Sequence, residues 1–318
     1  MAGWTADHIP DQTGRVAVVT GANSGLGYVA ARELARKGAH VVLGCRSEVR
    51  GREAVERIAG EVPGADVEVV RLDLGDLGCV REFAAAYRHE RLDLLVNNAG
   101  VMALPYGTTV DGFETQFGVN HLGHFALTGL LLPALLATPD ARVVTVSSMM
   151  HALANIDIRD LNSERRYRRW IAYARSKSAN LLFTHELARR LEASYAEATA
   201  VAAHPGYAAT NLQTRGPQAD GSRAGERLAE LGNRVFAQSA EAGALPVLYA
   251  ATAPRVRADA FIGPSFAAWR GTGTPAPSPR APWTLDDRAG EYLWAASERL
   301  TGVTYGTLKP GGQAARTS

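Results

Sequence analysis

The sequence predicts an α/β protein, a doubly wound parallel sheet with helices on both faces. Three observations carry this. Short apolar, β-branched runs recur along the chain, stretches of helical spacing separate them, and a glycine-rich turn follows the first run. Strands covered on both faces are apolar throughout rather than alternating. The helices between them are the crossovers that a parallel sheet requires.

The elements follow in order. Arg15 to Thr20 (RVAVVT) is the first strand, and Leu26 to Lys37 a helix that closes at Gly38. His40 to Gly44 is the second strand, followed by a helix over Glu48 to Ala59. Val67 to Leu72 and Leu92 to Val96 are the third and fourth, with a helix near Leu77 to Arg88 between them. Gly112 to Ala137 has the pattern of a long helix, bent or ended by Pro133. Arg142 to Ser147 is the fifth strand, Tyr173 to Glu192 a long helix, and Ala198 to Ala203 a sixth strand ending at His204-Pro205-Gly206. Gly271 to Pro282 has the composition of a proline-rich loop. The organisation expected is an N-terminal extension (1–14), one domain (15–308) and a flexible tail (309–318).

Of the 318 residues, 46% are hydrophobic and 21% charged, enough apolar material for a sizeable core. A net charge of +2 argues against nucleic acid as a partner. The two cysteines, Cys45 and Cys79, form neither a disulfide framework nor a ligand motif, and suit reduced thiols in the cytoplasm. His121 and His124 lack accompanying carboxylates or cysteines, so no metal is expected. The apolar stretch from Leu127 to Ala137 is broken by Pro133 and too short for a bilayer, so no transmembrane segment is expected.

After the first strand comes Thr20-Gly21-Ala22-Asn23-Ser24-Gly25-Leu26-Gly27, opening into a helix. Glycines there let the backbone turn and approach a pyrophosphate, which a helix N-terminus stabilises. An acid at the end of the second strand would bond ribose hydroxyls and repel a 2′-phosphate; this end reads Gly44-Cys45-Arg46-Ser47. Arg46 offers a guanidinium fork and Ser47 a hydroxyl, which favours NADP(H) over NAD(H). Ala22 and Asn23 add no second positive charge to the turn.

The TGxxxGxG spacing resembles the short-chain dehydrogenase/reductase family, on a Rossmann-like fold, and further motifs follow in that family's order. Asn97-Asn98-Ala99-Gly100 closes the fourth strand, where the resemblance places backbone against the cofactor. Asp73 and Leu74 follow the third strand, the carboxylate suited to an adenine amino group and the leucine to packing on the ring. Tyr173 and Lys177, at i and i+4, share one helix face. A cation beside a phenol favours its ionised form, so Lys177 and a nicotinamide ring are expected to lower the proton affinity of Tyr173. The resemblance makes Ser148, second of the pair after Val146, the hydroxyl that holds a substrate carbonyl, with Ser147 a backbone-bonded neighbour. It makes Asn120 the helix asparagine whose backbone distortion holds a water in a proton relay; a satisfied core amide is the alternative. Pro205, Gly206 and Thr210 resemble the segment that binds the nicotinamide carboxamide.

The Cys45-Arg46-Ser47 turn, the long insertion between Ser148 and Tyr173, and KSANLLFTHELARRL after the tyrosine resemble the retinol dehydrogenase-like branch. Protochlorophyllide reductase and the WW-domain oxidoreductases share that look. The membrane anchor of many retinol enzymes has no counterpart, so retinoid chemistry is not carried over. His151 is a candidate pocket residue or a plain loop histidine. The segment 207–238, with Tyr207 and Leu212, is the expected substrate loop, suited to a mid-sized apolar ketone, aldehyde or alcohol. The function implied is an NADP(H)-preferring alcohol dehydrogenase or carbonyl reductase, with a homodimer as the family-level expectation. The alternatives are an NADP-binding sensor or scaffold without turnover, and a membrane-associated lipid-carbonyl reductase docking through the arginines among 165–169.

Overall fold

A computed structural model describes residues 3–206, 239–265 and 274–311. Thr210, Tyr207, Leu212 and the rest of the expected substrate loop lie outside the described residues. The strands β1 (Val16–Thr20), β2 (His40–Cys45), β3 (Val67–Arg71), β4 (Leu94–Asn97), β5 (Arg142–Val146), β6 (Thr199–Ala203), β7 (Phe261–Pro264) and β8 (Pro275–Pro277) form one sheet in the order 3-2-1-4-5-6-7-8. Every neighbouring pair is parallel except β7 and β8. Strand order reverses between β1 and β4, and the crevice outside their carboxyl ends is where open α/β sheets bind ligands.

Helices cover both faces. On one face lie α1 (Gly25–Arg36), α2 (Glu48–Glu61) and, from later in the chain, α8 (Ala240–Thr252). Their apolar residues Leu34, Ile58 and Leu248 join Ala17, Val19, Leu43 and Val96 of the strands in one buried cluster. On the other face lie α3 (Leu77–Ala86), α5 (Gly123–Leu130) and the long α7 (Arg169–Ala193), with Phe125, Leu127, Phe183 and Leu187 buried together. The last helix, α9 (Asp287–Thr301), adds Trp294 to this second cluster. Val18 and Val42 face it from the sheet, so alternate residues of β1 and β2 supply opposite cores.

The expected helix over Gly112 to Ala137 is segmented. A short α4 (Thr115–Phe117) runs into a π-helical turn (Gly118–Leu122), then α5 and α6 (Leu132–Leu136). In the π turn the Gly123 N–H reaches back to the Gly118 carbonyl. A Cβ on Gly123 would lie 2.4 Å from the Leu74 carbonyl oxygen, so this helix packs on the β3–α3 connection at a distance only glycine allows. Residues near both chain ends are held by contacts, while 312–318 of the expected tail lie outside the described residues. Ile9 of the extension is buried, Trp4 packs edge-on against Tyr249, and Lys309 donates its N–H to Ser194 Oγ at 2.7 Å. The proline-rich segment holds β8, an edge strand, where a missing N–H costs no ladder bond to a further neighbour.

Candidate active site

Five segments end in one place, the carboxyl edge of β1, β4 and β5, with the π turn and α7 alongside. The turn after β1 has Gly21 at φ +67° and Gly25 at φ +58°. A Cβ on Gly27 would lie 2.5 Å from Asn98 Nδ2 and 2.7 Å from the Gly21 carbonyl oxygen. Ser24 precedes α1 without a side-chain capping bond, which leaves the first-turn amides available to an anion. The glycine cradle and uncapped helix fit a dinucleotide pyrophosphate. Asn98 Nδ2 donates to the Thr20 carbonyl at 2.7 Å and ties the two strand ends together.

Thr20 is the one polar residue of β1, and its role was not read from the sequence. Its Oγ1 accepts the N–H groups of Asn98 and Ala99, both at 2.9 Å, and lies 2.9 Å from His124 Nε2. With two donors already on that oxygen, its proton goes to Nε2, and His124 Nδ1–H donates to the Asn120 carbonyl at 3.0 Å. Burial holds His124 neutral, its pKa lowered to about 4. Thus His124 couples the cofactor turn to the π turn.

Asn120, inside that turn, is fully buried. Its Oδ1 accepts from Val101 N at 2.8 Å, while Nδ2 donates to the Val101 carbonyl and to Ser176 Oγ, both at 2.9 Å. The amide is therefore a clamp between the segment after β4 and α7. Gly100 completes the contact, since a Cβ there would lie 3.1 Å from Asn120 Oδ1 and 3.6 Å from Lys177 Nζ.

Tyr173 and Lys177 occupy adjacent turns of α7 and are both buried. Lys177 Nζ donates to the Val146 carbonyl at 3.1 Å and sits 5.7 Å from the centre of the Tyr173 ring. Ser148 hydrogen-bonds the Tyr173 side chain. Ser147 Oγ instead donates to the Lys177 carbonyl at 2.8 Å, the backbone role expected of it. Burial pushes Tyr173 up to about 12, opposed only by its bond to Ser148, and pushes Lys177 down to about 8. Burial disfavours the charged form of each, raising the phenol and lowering the amine.

Further expected site residues lie in the segment after β3 and in the first turn after β5. Leu74 is packed in the core with Val18, Val42 and Phe125. Asp73 Oδ1 accepts the Gly75 N–H at 3.0 Å, which stabilises the turn after β3. His151 is fully buried rather than lining a pocket: Nδ1–H donates to the Ser148 carbonyl at 2.7 Å and Nε2 accepts the Ala281 N–H at 3.0 Å. It braces the 3-10 turn (Met149–Leu153) that begins at Ser148.

At the end of β2, Arg46 is exposed and Ser47 Oγ caps α2 by accepting from Arg50 N at 3.4 Å. A second cation, absent from the turn itself, comes from α2: Arg57 Nη2 donates to the Asn23 carbonyl at 3.0 Å. After β6, Gly206 at φ +69° donates its N–H to His204 Nδ1 at 3.1 Å, so a buried neutral imidazole shapes the Pro205–Gly206 turn.

The model of the short chain dehydrogenase family matches residues 15–220. The chain belongs to this family. Human retinol dehydrogenase 12 is 41% identical over 296 residues, spanning 92% of this chain and 88% of its own length. The crystal structure of an uncharacterized protein from Mycobacterium Paratuberculosis shares 45% identity, covers 96% of this chain and 99% of its own, and superposes with a TM-score of 0.79. A gluconate 5-dehydrogenase candidate from Beutenbergia cavernae, solved with NADP at low occupancy, is 31% identical over 76% of this chain and 90% of its own, with a TM-score of 0.57. Members of the retinol dehydrogenase-like branch are thus among its relatives, and among the described residues no helix is long and apolar enough to cross a membrane.

Proposed function

We propose that this chain is an NADP(H)-preferring alcohol dehydrogenase or carbonyl reductase acting on a mid-sized apolar ketone, aldehyde or alcohol. The observation that carries the reading is the meeting of Tyr173, Ser148 and Lys177 beside a glycine cradle at the reversal point of the sheet. The turn Gly21 to Gly27, with Asn23, Ser24, Gly25 and Leu26, would hold the pyrophosphate. Arg46, with Arg57 nearby, would meet the 2′-phosphate, and Asn98, Ala99, Gly100, Pro205, Gly206 and Thr210 would line the nicotinamide half. When bound, the cofactor supplies or accepts the hydride at the carbonyl carbon.

The protein's part is the proton. Ser148 and Tyr173 share the substrate oxygen, and a phenol held near pKa 12 is protonated at neutral pH, ready to donate as negative charge develops there. Lys177, held near 8, exchanges its own proton close to working pH and can restore the one Tyr173 gives up. The π turn and the Asn120 clamp set the distance between the segment after β4 and α7. Apolar substrates are supported by the relatives named for retinol, a long apolar alcohol.

The test is a panel of ketones, aldehydes and retinal with NADPH consumption followed by absorbance. Tyr173→Phe is expected to lower kcat by about 10³-fold while NADPH binding measured by fluorescence stays within about threefold. A protein that binds NADPH but turns over nothing in the panel, with Tyr173→Phe indistinguishable from wild type, would instead favour a cofactor sensor.

A further inference from the structure

The β3 edge of the sheet carries a second cluster. His40 opens β2, Glu68 lies in β3, and His89 stands in the connection that returns from α3 to β4. His40 Nε2 is 3.3 Å and His89 Nε2 3.2 Å from the same oxygen, Glu68 Oε1, and ligand atoms of the three residues all lie within 4.8 Å of one another. His40 Nδ1 lies 2.9 Å from Asp66 Oδ1. The sequence hides this grouping, because Glu68 is 28 positions from His40 and 21 from His89.

We propose that His40, Glu68 and His89 bind a divalent zinc ion, with water in the open position. His40 Nε2 and His89 Nε2 converge on one oxygen of Glu68, so a cation seated among them would have two imidazole nitrogens and a carboxylate oxygen within reach. Zinc binds imidazole nitrogen and carboxylate oxygen at about 2.0–2.1 Å, so neighbouring ligands of a tetrahedral site stand roughly 3.3 Å apart. Both nitrogen–oxygen separations have about that length. Asp66 supplies the outer carboxylate that commonly orients a metal-bound imidazole. Two imidazoles select zinc over magnesium or calcium, which prefer all-oxygen sites. The ion would fasten the edge strand β3 to β2 and to the α3–β4 connection, away from Tyr173, so its effect is on stability rather than turnover.

The experiment titrates the full-length, tag-free, chelator-treated protein with zinc chloride in a calorimeter, alongside melting curves. One zinc per chain is expected, with a rise in Tm. Asp66→Asn should weaken binding about 10- to 100-fold. Glu68→Gln, at an exposed position, and His89→Gln, at a half-buried one, should abolish saturable binding and the Tm rise while leaving the metal-free fold intact by circular dichroism. Absence of saturable one-to-one binding in the wild-type protein would overturn the site and leave a cluster of hydrogen bonds. So would zinc binding that survives the Glu68→Gln, His89→Gln double substitution.

Discussion

Two titratable side chains with opposite charge habits are buried together, and desolvation moves each towards its neutral form. Lys177 falls from 10.5 to about 8 and Tyr173 rises from 10.0 to about 12. In the unfolded chain Lys177 regains its ordinary value, so between about pH 8 and 10.5 the unfolded state binds more protons and stability rises with pH. Below about pH 8 the cost of burying the ammonium is fully present. Above about pH 10 the tyrosine acts the other way, because the folded state then keeps a proton that the unfolded state loses. Lys177→Met should therefore be more stable than wild type at neutral pH, by on the order of 3 kcal/mol, and should lose the rise between about pH 8 and 10. Urea unfolding at a series of pH values measures both. A variant with the wild-type slope would place that slope on another group. On the proposed function, the same substitution should also remove turnover.

At the scale of elements, the short 3-10 turn after β5 decides where the Ser148 hydroxyl stands. His151 braces it from beneath, bonding the Ser148 carbonyl on one side and Ala281 on the other. His151→Phe preserves a ring but leaves the buried Ala281 N–H without its partner, while the Ser148 carbonyl keeps the His151 backbone N–H; the unmet donor costs about 1–3 kcal/mol. We expect kcat to fall about tenfold with the KM for NADPH nearly unchanged; lost stability with unaltered kcat would make the histidine purely structural. This brace was not legible in the sequence, because its partner lies 130 positions downstream. Motifs whose geometry is local were legible: the glycine turn, the strand-end serines, and the tyrosine and lysine one helical turn apart. The π turn was legible only through the resemblance, which implied a distorted backbone at Asn120; from the apolar pattern it was not, since that pattern from Gly112 to Ala137 is the same whether one carbonyl is skipped or not. Nor was β8, whose three residues form a strand only because β7 offers an edge.

Across the whole molecule, the proposed cofactor site draws on segments from β1 to the turn after β6, so unfolding any of them dissolves it. The far face is sealed independently by α9, where Trp294 packs against Phe125, Phe183 and Tyr305, and Tyr305 donates its hydroxyl to the Phe125 carbonyl at 2.6 Å. A ligand that binds only the folded state stabilises the cooperative unit as a whole. At about a hundred times its Kd, NADPH should add about 2.7 kcal/mol, which for a chain of this size corresponds to a rise in Tm of roughly 4 °C. NADH at the same concentration should raise Tm less, because Arg46 then has no 2′-phosphate to meet. Arg46→Asp should reverse that order, repelling the phosphate and accepting bonds from the ribose hydroxyls. Melting curves of both proteins with each cofactor make the comparison without any knowledge of the substrate. Equal shifts from NADPH and NADH in the wild-type protein, unchanged in the variant, would remove Arg46 from the account of cofactor choice.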